Sequence, residues 1–161
     1  MYDLDVSNNT ELEGLGCHNT QLSSLDVSNN TNLLDLGCGY NQLTLLDVSN
    51  NTGLIRLKCD QSQITSLDVS NNTALIALYC NDNQLTSLDV SNNTELETLW
   101  GGSNQITTLD VSNNTNITDF HLNNMSTLYK VCVWETFFLS PDDYCLETTG
   151  SPNIYFTTDC N

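Results

Sequence analysis

The sequence predicts a β-rich solenoid: a right-handed coil of stacked turns with one parallel β-sheet along its length. The first observation is a heptapeptide, Leu-Asp-Val-Ser-Asn-Asn-Thr, that occurs six times between Leu4 and Thr115. The second is that successive copies start 21 residues apart, without an insertion or deletion. The third is that apolar residues alternate with polar ones in short segments of each period, as in strands that bury one face. Stacking of such turns buries a continuous core.

Each period divides into two similar halves, which sets the predicted path of one turn. The first half reads Leu-x-x-Leu-x-Cys-x-x-Asn, as at Leu33, Leu36, Cys38 and Asn41. The second half reads Leu-x-x-Leu-x-Val-x-x-Asn, as at Leu43, Leu46, Val48 and Asn51. Both halves fit the leucine-rich-repeat pattern. We expect the Leu-x-Cys segments to form the parallel sheet and the Leu-Asp-Val segments to form a second extended face behind it.

Four of the seven cysteines recur once per period and predict a ladder of buried thiols. They are followed in the same column by Gly101 and Leu122, which indicates an inward position; the four are Cys17, Cys38, Cys59 and Cys80. Cysteine at such a position behaves as a small hydrophobic residue. Stacked neighbours point the same way, which is poor disulfide geometry, and the spacing matches no metal-binding pattern. We therefore expect free, inert thiols.

Composition bounds the domain organisation and the partners. The 161 residues carry 3 Lys+Arg against 20 Asp+Glu, a net charge of −17, which argues against nucleic acid and anionic membranes as partners. No apolar run is long enough for a membrane-spanning helix.

We expect one domain, with the solenoid at 1–133 and a C-terminal cap at 134–161. The cap loses the period and gains aromatic residues: Trp134, Phe137, Phe138, Tyr144, Tyr155 and Phe156. Because the chain opens within a repeat, we also expect that an N-terminal cap and any anchoring segment lie outside it.

The repeat resembles a known bacterial family. The run Leu-x-Cys-x-x-Asn-Gln-Leu-Thr-x-Leu-Asp-Val-Ser-x-Asn-Thr is similar to the internalin J-like, cysteine-ladder repeats of listerial surface proteins, and the nested halves match the 21-residue bacterial class of leucine-rich repeats. The C-terminal segment is similar to the cap of secreted leucine-rich-repeat proteins of Bacteroidetes. The cap resemblance implies a disulfide between Cys132 and Cys160, with Cys145 left over. The family resemblance implies a secreted or surface-exposed protein used in adhesion or partner recognition.

The positions that vary while everything else repeats are the candidate ligand-binding residues. One column, between the Leu and Cys of each strand, contains four large or charged residues that we name the variable stripe: Lys58, Tyr79, Trp100 and His121. Arg56 lies two positions earlier in its turn, and Tyr40 lies just after its strand. Aromatic residues and Arg are common binding anchors. The competing interpretation is neutral drift on a solvated sheet face.

A second outward column repeats an acidic residue in every turn. We name it the Asp column: Asp5, Asp26, Asp47, Asp68, Asp89 and Asp110. Charges one strand spacing apart repel, so something must relieve them. The simpler explanation is solvent and hydrogen bonds from neighbouring Ser, Thr and turn amides. The sharper one is a row of bound cations such as Ca²⁺.

The sequence gives no support for catalysis. His18 and His121 lie about five periods apart, and no nucleophile or phosphate-loop motif occurs. We therefore expect a non-enzymatic, monomeric module without a cofactor, located outside a bacterial cell, that binds a protein or glycan partner. The alternatives are a structural or cation-binding surface solenoid and, from the Thr column of Thr44, Thr65, Thr86 and Thr107, an ice-binding protein.

Overall fold

The computed structural model describes residues 4–137 and 145–160, and within them the chain forms ten strands of three residues each and no helix. None of this described part could therefore cross a bilayer as a helix. The strands are β1 Gly14–Gly16, β2 Asp35–Gly37, β3 Arg56–Lys58, β4 Ala77–Tyr79, β5 Thr98–Trp100, β6 Thr108–Asp110, β7 Asp119–His121, β8 Lys130–Cys132, β9 Cys145–Glu147 and β10 Tyr155–Thr157.

The larger sheet has seven parallel strands in the order β1-β2-β3-β4-β5-β7-β9. Through β7 the register advances by the repeat length: Leu36 pairs with Leu57, and Leu78 pairs with Leu99. The central residue of each of these six strands points into the core, and its two neighbours point outward. The predicted solenoid with a parallel sheet is confirmed.

The expected second extended face forms a hydrogen-bonded sheet only near the C-terminus. It has three strands in the order β10-β8-β6. In the earlier turns, the amide that follows each Leu-Asp-Val segment bonds within its own turn: the Ser49 N–H donates to the Asp47 carboxylate at 2.9 Å. The same local bond, from the Ser112 N–H to the Asp110 carboxylate, also occurs beside β6, so it is compatible with sheet pairing and is a property of every turn.

The core lies between the two faces and contains the predicted cysteine ladder. Cys38, Cys59 and Cys80 are fully buried, and Cys17 is nearly so. All four are thiols. Burial raises the pKa of Cys38 and of Cys80 to about 12. A thiol with so high a pKa is protonated and unreactive at neutral pH, which is the inert behaviour that the sequence predicts.

Two buried columns of asparagine join the turns. In the first half-repeat, the Asn83 amide donates to the carbonyls of Cys59 and Cys80, and its oxygen accepts the Ile64 N–H at 3.0 Å. Asn41 and Asn104 repeat the arrangement. In the second half-repeat the amide nitrogen bridges carbonyls of the preceding turn, through five residues: Asn30, Asn51, Asn72, Asn93 and Asn114. The first column pairs buried backbone groups of the turn, such as the Ile64 N–H. The second column adds a donor from the next turn to carbonyls, such as those of Val27 and Asn30, that already accept an N–H of their own turn.

The C-terminal segment continues both sheets through one longer turn. Phe120 of β7 pairs with Leu146 of β9, and Val131 of β8 pairs with Phe156 of β10. The first pair is 26 residues apart and the second 25, against 21 for one repeat, so the turn is longer by five and four residues. Stacked and edge-on rings join Phe137 to Phe156 and to Trp134. Of the aromatic residues predicted for the cap, Phe138 and Tyr144 lie outside the described residues.

Candidate binding surface

The structure brings the four residues of the variable stripe into one row. Lys58 of β3 pairs in register with Tyr79 of β4, Tyr79 with Trp100 of β5, and Trp100 with His121 of β7. Equivalent positions of parallel strands point to the same side, one strand spacing apart. The row therefore runs for about three spacings, or ~14 Å, along the outer face of the larger sheet.

Neighbours within the stripe contact each other directly. The Lys58 ammonium lies over the Tyr79 ring, 5.1 Å from its centroid. Tyr79 and Trp100 meet edge to face with centroids 5.0 Å apart, and Trp100 stacks on His121 with centroids 4.4 Å apart. All four side chains are half-buried as a result. Contacts of this kind hold the side chains in place before any partner arrives, which reduces the entropy lost on binding.

Asp119 anchors the C-terminal end of the stripe, and sequence reasoning gave it no role. One of its carboxylate oxygens accepts the Trp100 indole N–H at 3.0 Å. The other lies 2.9 Å from Nε2 of His121. The sequence signal was present, since Asp119 and His121 are the outward residues of one strand, but the link to Trp100 depends on the register between strands.

Arg56 and Tyr40 lie beside the stripe rather than in it. Arg56 belongs to the adjacent outward column, where its guanidinium forms a salt bridge with Asp35 at 2.6 Å. The Asp35 carboxylate therefore offsets the charge of Arg56 at this position. Tyr40 is 52% exposed and has a left-handed backbone, with φ of 57°, in the turn after β2.

A groove of about 390 Å³ opens between Tyr40 and the stripe, lined also by His18, Asp60 and Asn81. Glycines make room for this lining: a Cβ on Gly37 would collide with the His18 imidazole, and one on Gly39 would meet Asp60 at 2.7 Å. Burial raises the pKa of Asp60. The sequence analysis missed His18 and Asp60 as lining residues, although small residues at Gly37 and Gly39 signalled space for a neighbour's side chain.

An exposed apolar column flanks the same sheet face. Leu34, Ile55 and Ile76 stack in three successive turns, because the Ile55 N–H donates to the Leu34 carbonyl and the Ile76 N–H to the Ile55 carbonyl. Each is about 40% exposed. Sequence reasoning overlooked them among the repeating apolar residues. The signal was Glu13 and Glu97 at the equivalent positions of other turns, which mark the column as outward.

The Asp column lies on the other half of each turn, and its charges have partners within the chain. Every member is exposed and accepts the backbone N–H of the Ser two residues later at 2.9 Å; the acceptors are Asp5, Asp26, Asp47, Asp68, Asp89 and Asp110. Hydrogen bonds from Ser28 and Ser70 hold the pKa of Asp26 and of Asp68 below the usual value. These bonds support the simpler explanation of the column, and Ca²⁺ binding there stays a prediction.

The three C-terminal cysteines separate into two places. Sγ of Cys132 and Sγ of Cys160 lie within 4.8 Å of each other and of the Asp110 carboxylate, and both residues are thiols in this structure. The sheet pairing therefore brings together the two residues that the resemblance pairs, and the disulfide itself stays a prediction. Cys145 begins β9 on the larger sheet, where its sulfur lies 3.8 Å from Nε2 of His121.

Solved structures share this fold, although no protein-family model and no curated protein sequence matches the chain. The functional domain of InlJ from Listeria monocytogenes, which includes a cysteine ladder, is 28% identical with a TM-score of 0.66; the match covers 96% of this chain and 42% of that one. The internalin InlF of the same organism is 22% identical with a TM-score of 0.71, covering 97% and 50%. A leucine-rich-repeat protein of Leptospira interrogans is 16% identical with a TM-score of 0.58, covering 93% and 46%. The chain is thus a leucine-rich-repeat solenoid that spans half or less of the length of these proteins.

Proposed function

We propose that the chain is a non-enzymatic recognition module on the outside of a bacterial cell, and that it binds a protein partner through the variable stripe and its flanks. The observation that carries the proposal is the row of contacts from Lys58 to His121. Four side chains that the repeat does not require are held in one ordered row on an outer sheet face. Tyr and Trp held in this way are typical anchors of protein interfaces.

The packing of the rings favours a protein over a glycan. A sugar that stacks on an aromatic residue needs an open ring face. In the stripe, one face of Trp100 is turned to His121, and Tyr79 has Lys58 over its ring. The groups that remain exposed to a partner are mainly ring edges and polar atoms. Such a mixture of apolar and polar groups suits the surface of a protein.

The exposed apolar column on the same sheet face also favours a protein partner. Leu34, Ile55 and Ile76 add exposed aliphatic area at the start of the same strands, separated from the aromatic row by the outward column that contains Arg56. Contiguous apolar area framed by polar groups is a feature of protein interaction sites. The extracellular location is supported by the likeness to internalins, of which this chain spans only part.

The experiment is a screen of the purified chain against an array of extracellular host and bacterial proteins, with a glycan array in parallel. Wild type, Trp100→Ala and Ile55→Asp are screened together with Asp89→Asn, a matched change on the Asp column. We expect a protein that binds wild type and Asp89→Asn and loses binding to the other two. Binding confined to glycans would contradict the choice of partner. Hits that Asp89→Asn abolishes and Trp100→Ala leaves intact would contradict the choice of face.

A further inference from the structure

Three different metal-ligand types meet at the C-terminal end of the larger sheet. Asp119 and His121 are the two outward residues of β7, and Cys145 pairs in register with Asp119 from the neighbouring strand β9. The carboxylate oxygen, the imidazole nitrogen and the thiol sulfur lie within 4.8 Å of one another. None of the three is deeply buried, so an ion can reach them from solvent.

The directions of the contacts distinguish a metal site from a catalytic relay. In a relay, the nucleophile and the carboxylate bond to opposite nitrogens of the histidine, because the proton must pass through the ring. Here both partners face the same atom: Nε2 of His121 lies 2.9 Å from Oδ1 of Asp119 and 3.8 Å from Sγ of Cys145. The three ligand atoms therefore surround one point, as ligands surround an ion.

We propose that Asp119, His121 and Cys145 bind a divalent ion of the zinc class. Zinc accepts thiolate, imidazole and carboxylate together in a tetrahedral arrangement. With bonds of ~2.3 Å to sulfur and ~2.0 Å to nitrogen, tetrahedral geometry places those two atoms about 3.5 Å apart. The sulfur and nitrogen are already 3.8 Å apart, and the half-exposed Asp119 carboxylate must move about half an ångström away from the imidazole.

Two neighbours complete the surroundings of the ion. Glu147 pairs in register with His121, but its carboxylate accepts the Thr149 N–H at 2.8 Å, so a water molecule is the expected fourth ligand. Trp100 donates its indole N–H to the second oxygen of Asp119 and stacks on the His121 ring. Hydrogen bonds to ligating carboxylates from outside the coordination sphere orient the ligands. Trp100 therefore acts here as a positioning residue.

The site does not depend on the proposed partner, and a second cluster provides the competing location. Asp110, Cys132 and Cys160 also place three ligand atoms within 4.8 Å, on the smaller sheet. If the cap disulfide forms, that cluster loses both thiolates, whereas Cys145 lies on the other sheet and keeps its thiol. The ladder thiols of the core are buried and unavailable.

The test is a Co²⁺ titration of the full chain, freed of metal and kept reduced, followed by absorbance. Co²⁺ substitutes for zinc and reports a thiolate ligand by a charge-transfer band and a tetrahedral site by intense visible bands. We expect both bands to saturate at one equivalent and to disappear when Zn²⁺ is added. Cys145→Ser and His121→Gln should abolish the charge-transfer band and the tetrahedral spectrum, respectively, while Cys160→Ser should leave both. Thermal unfolding without metal checks that each variant is folded.

A further variant tests the positioning role. Trp100→Phe keeps a ring against His121 and removes the indole donor to Asp119. We expect a Zn²⁺ affinity ~10–100-fold weaker, the range for loss of such a hydrogen bond, with the spectrum retained. The proposal is overturned if the wild type shows no thiolate band, if Cys145→Ser keeps it, or if Cys160→Ser loses it. Each of these results leaves the partner proposal unaffected.

Discussion

The two halves of each turn obey the same apolar pattern but use their outward residues differently. On the Asp column, each carboxylate bonds to the amide of its own turn, as Asp68 does with Ser70. On the variable stripe, each side chain contacts the next turn, as Tyr79 does with Trp100. A bond that the turn itself requires must recur in every turn. Contacts between side chains of neighbouring turns impose no single residue type, so that face is available for recognition.

The largest effect on stability is expected at the buried asparagines that bond to the backbone of the preceding turn. Asn72→Ala removes the amide that donates to the carbonyls of Val48 and Asn51, so each buried carbonyl keeps only the backbone N–H of its own turn. Two buried hydrogen bonds are lost and a cavity is left, so we expect the free energy of unfolding to fall by about 2–4 kcal/mol, measured by urea denaturation. Asn71→Ala is the matched control, because Asn71 is exposed; its effect should be within ~0.5 kcal/mol. An equal decrease in the free energy of unfolding for both variants would contradict the assignment of Asn72 as the buried residue that joins the turns and Asn71 as exposed.

The cysteine ladder gives the next effect. Cys59→Ser places a hydroxyl in a fully buried apolar site, and we expect a loss of ~1–3 kcal/mol in the free energy of unfolding. Cys145→Ser, measured without metal, should change it by less than ~0.5 kcal/mol, since Cys145 is exposed. Urea denaturation under reducing conditions measures both. Indistinguishable values for the two variants would contradict the inward placement of the ladder.

A smaller, stabilising effect is expected where the first asparagine column is interrupted. Ser62 occupies the position of Asn41 and Asn83, and its buried hydroxyl has no partner among the described residues. Ser62→Asn restores an amide that can bond to the Cys38 and Cys59 carbonyls. We expect about 1 kcal/mol of added stability. Asn83→Ser, the reverse change one turn later, should be destabilising. A destabilised Ser62→Asn variant would mean that this turn cannot accommodate the larger side chain.

The smallest expected effect is a difference in pKa between a carboxylate on each of the two faces. Asp60 lines the groove, where burial raises its pKa above 3.8, whereas the hydrogen bonds from Ser70 lower that of Asp68 below 3.8. A carboxyl with a lowered folded pKa contributes stability that is present above the unfolded pKa and lost as the pH falls through the folded one. We expect NMR titration to find Asp68 titrating at lower pH than Asp60. The opposite order would contradict the assigned surroundings of both.

The sequence predicted what the period fixes, and it could not predict what lies beyond the last repeat. The fold, the buried cysteines and the row from Lys58 to His121 follow from the period, because an unbroken period fixes which residues stack. The period ends before Cys145, so its place beside His121 could not be inferred. The pairing of Arg56 with Asp35 is different: it follows from the register of β2 and β3, and the opposite charges of these two stacked residues signal it in the sequence.

The most direct test of the division between the two faces is the affinity of one identified partner for paired variants. Trp100→Ala and Asp68→Asn each change one outward residue, on the variable stripe and on the Asp column. We expect Trp100→Ala to weaken binding by at least ~2 kcal/mol, about 30-fold, and Asp68→Asn to leave it within about twofold. Calorimetry on folded variants measures both. A partner that is lost with Asp68→Asn and kept with Trp100→Ala would contradict the account.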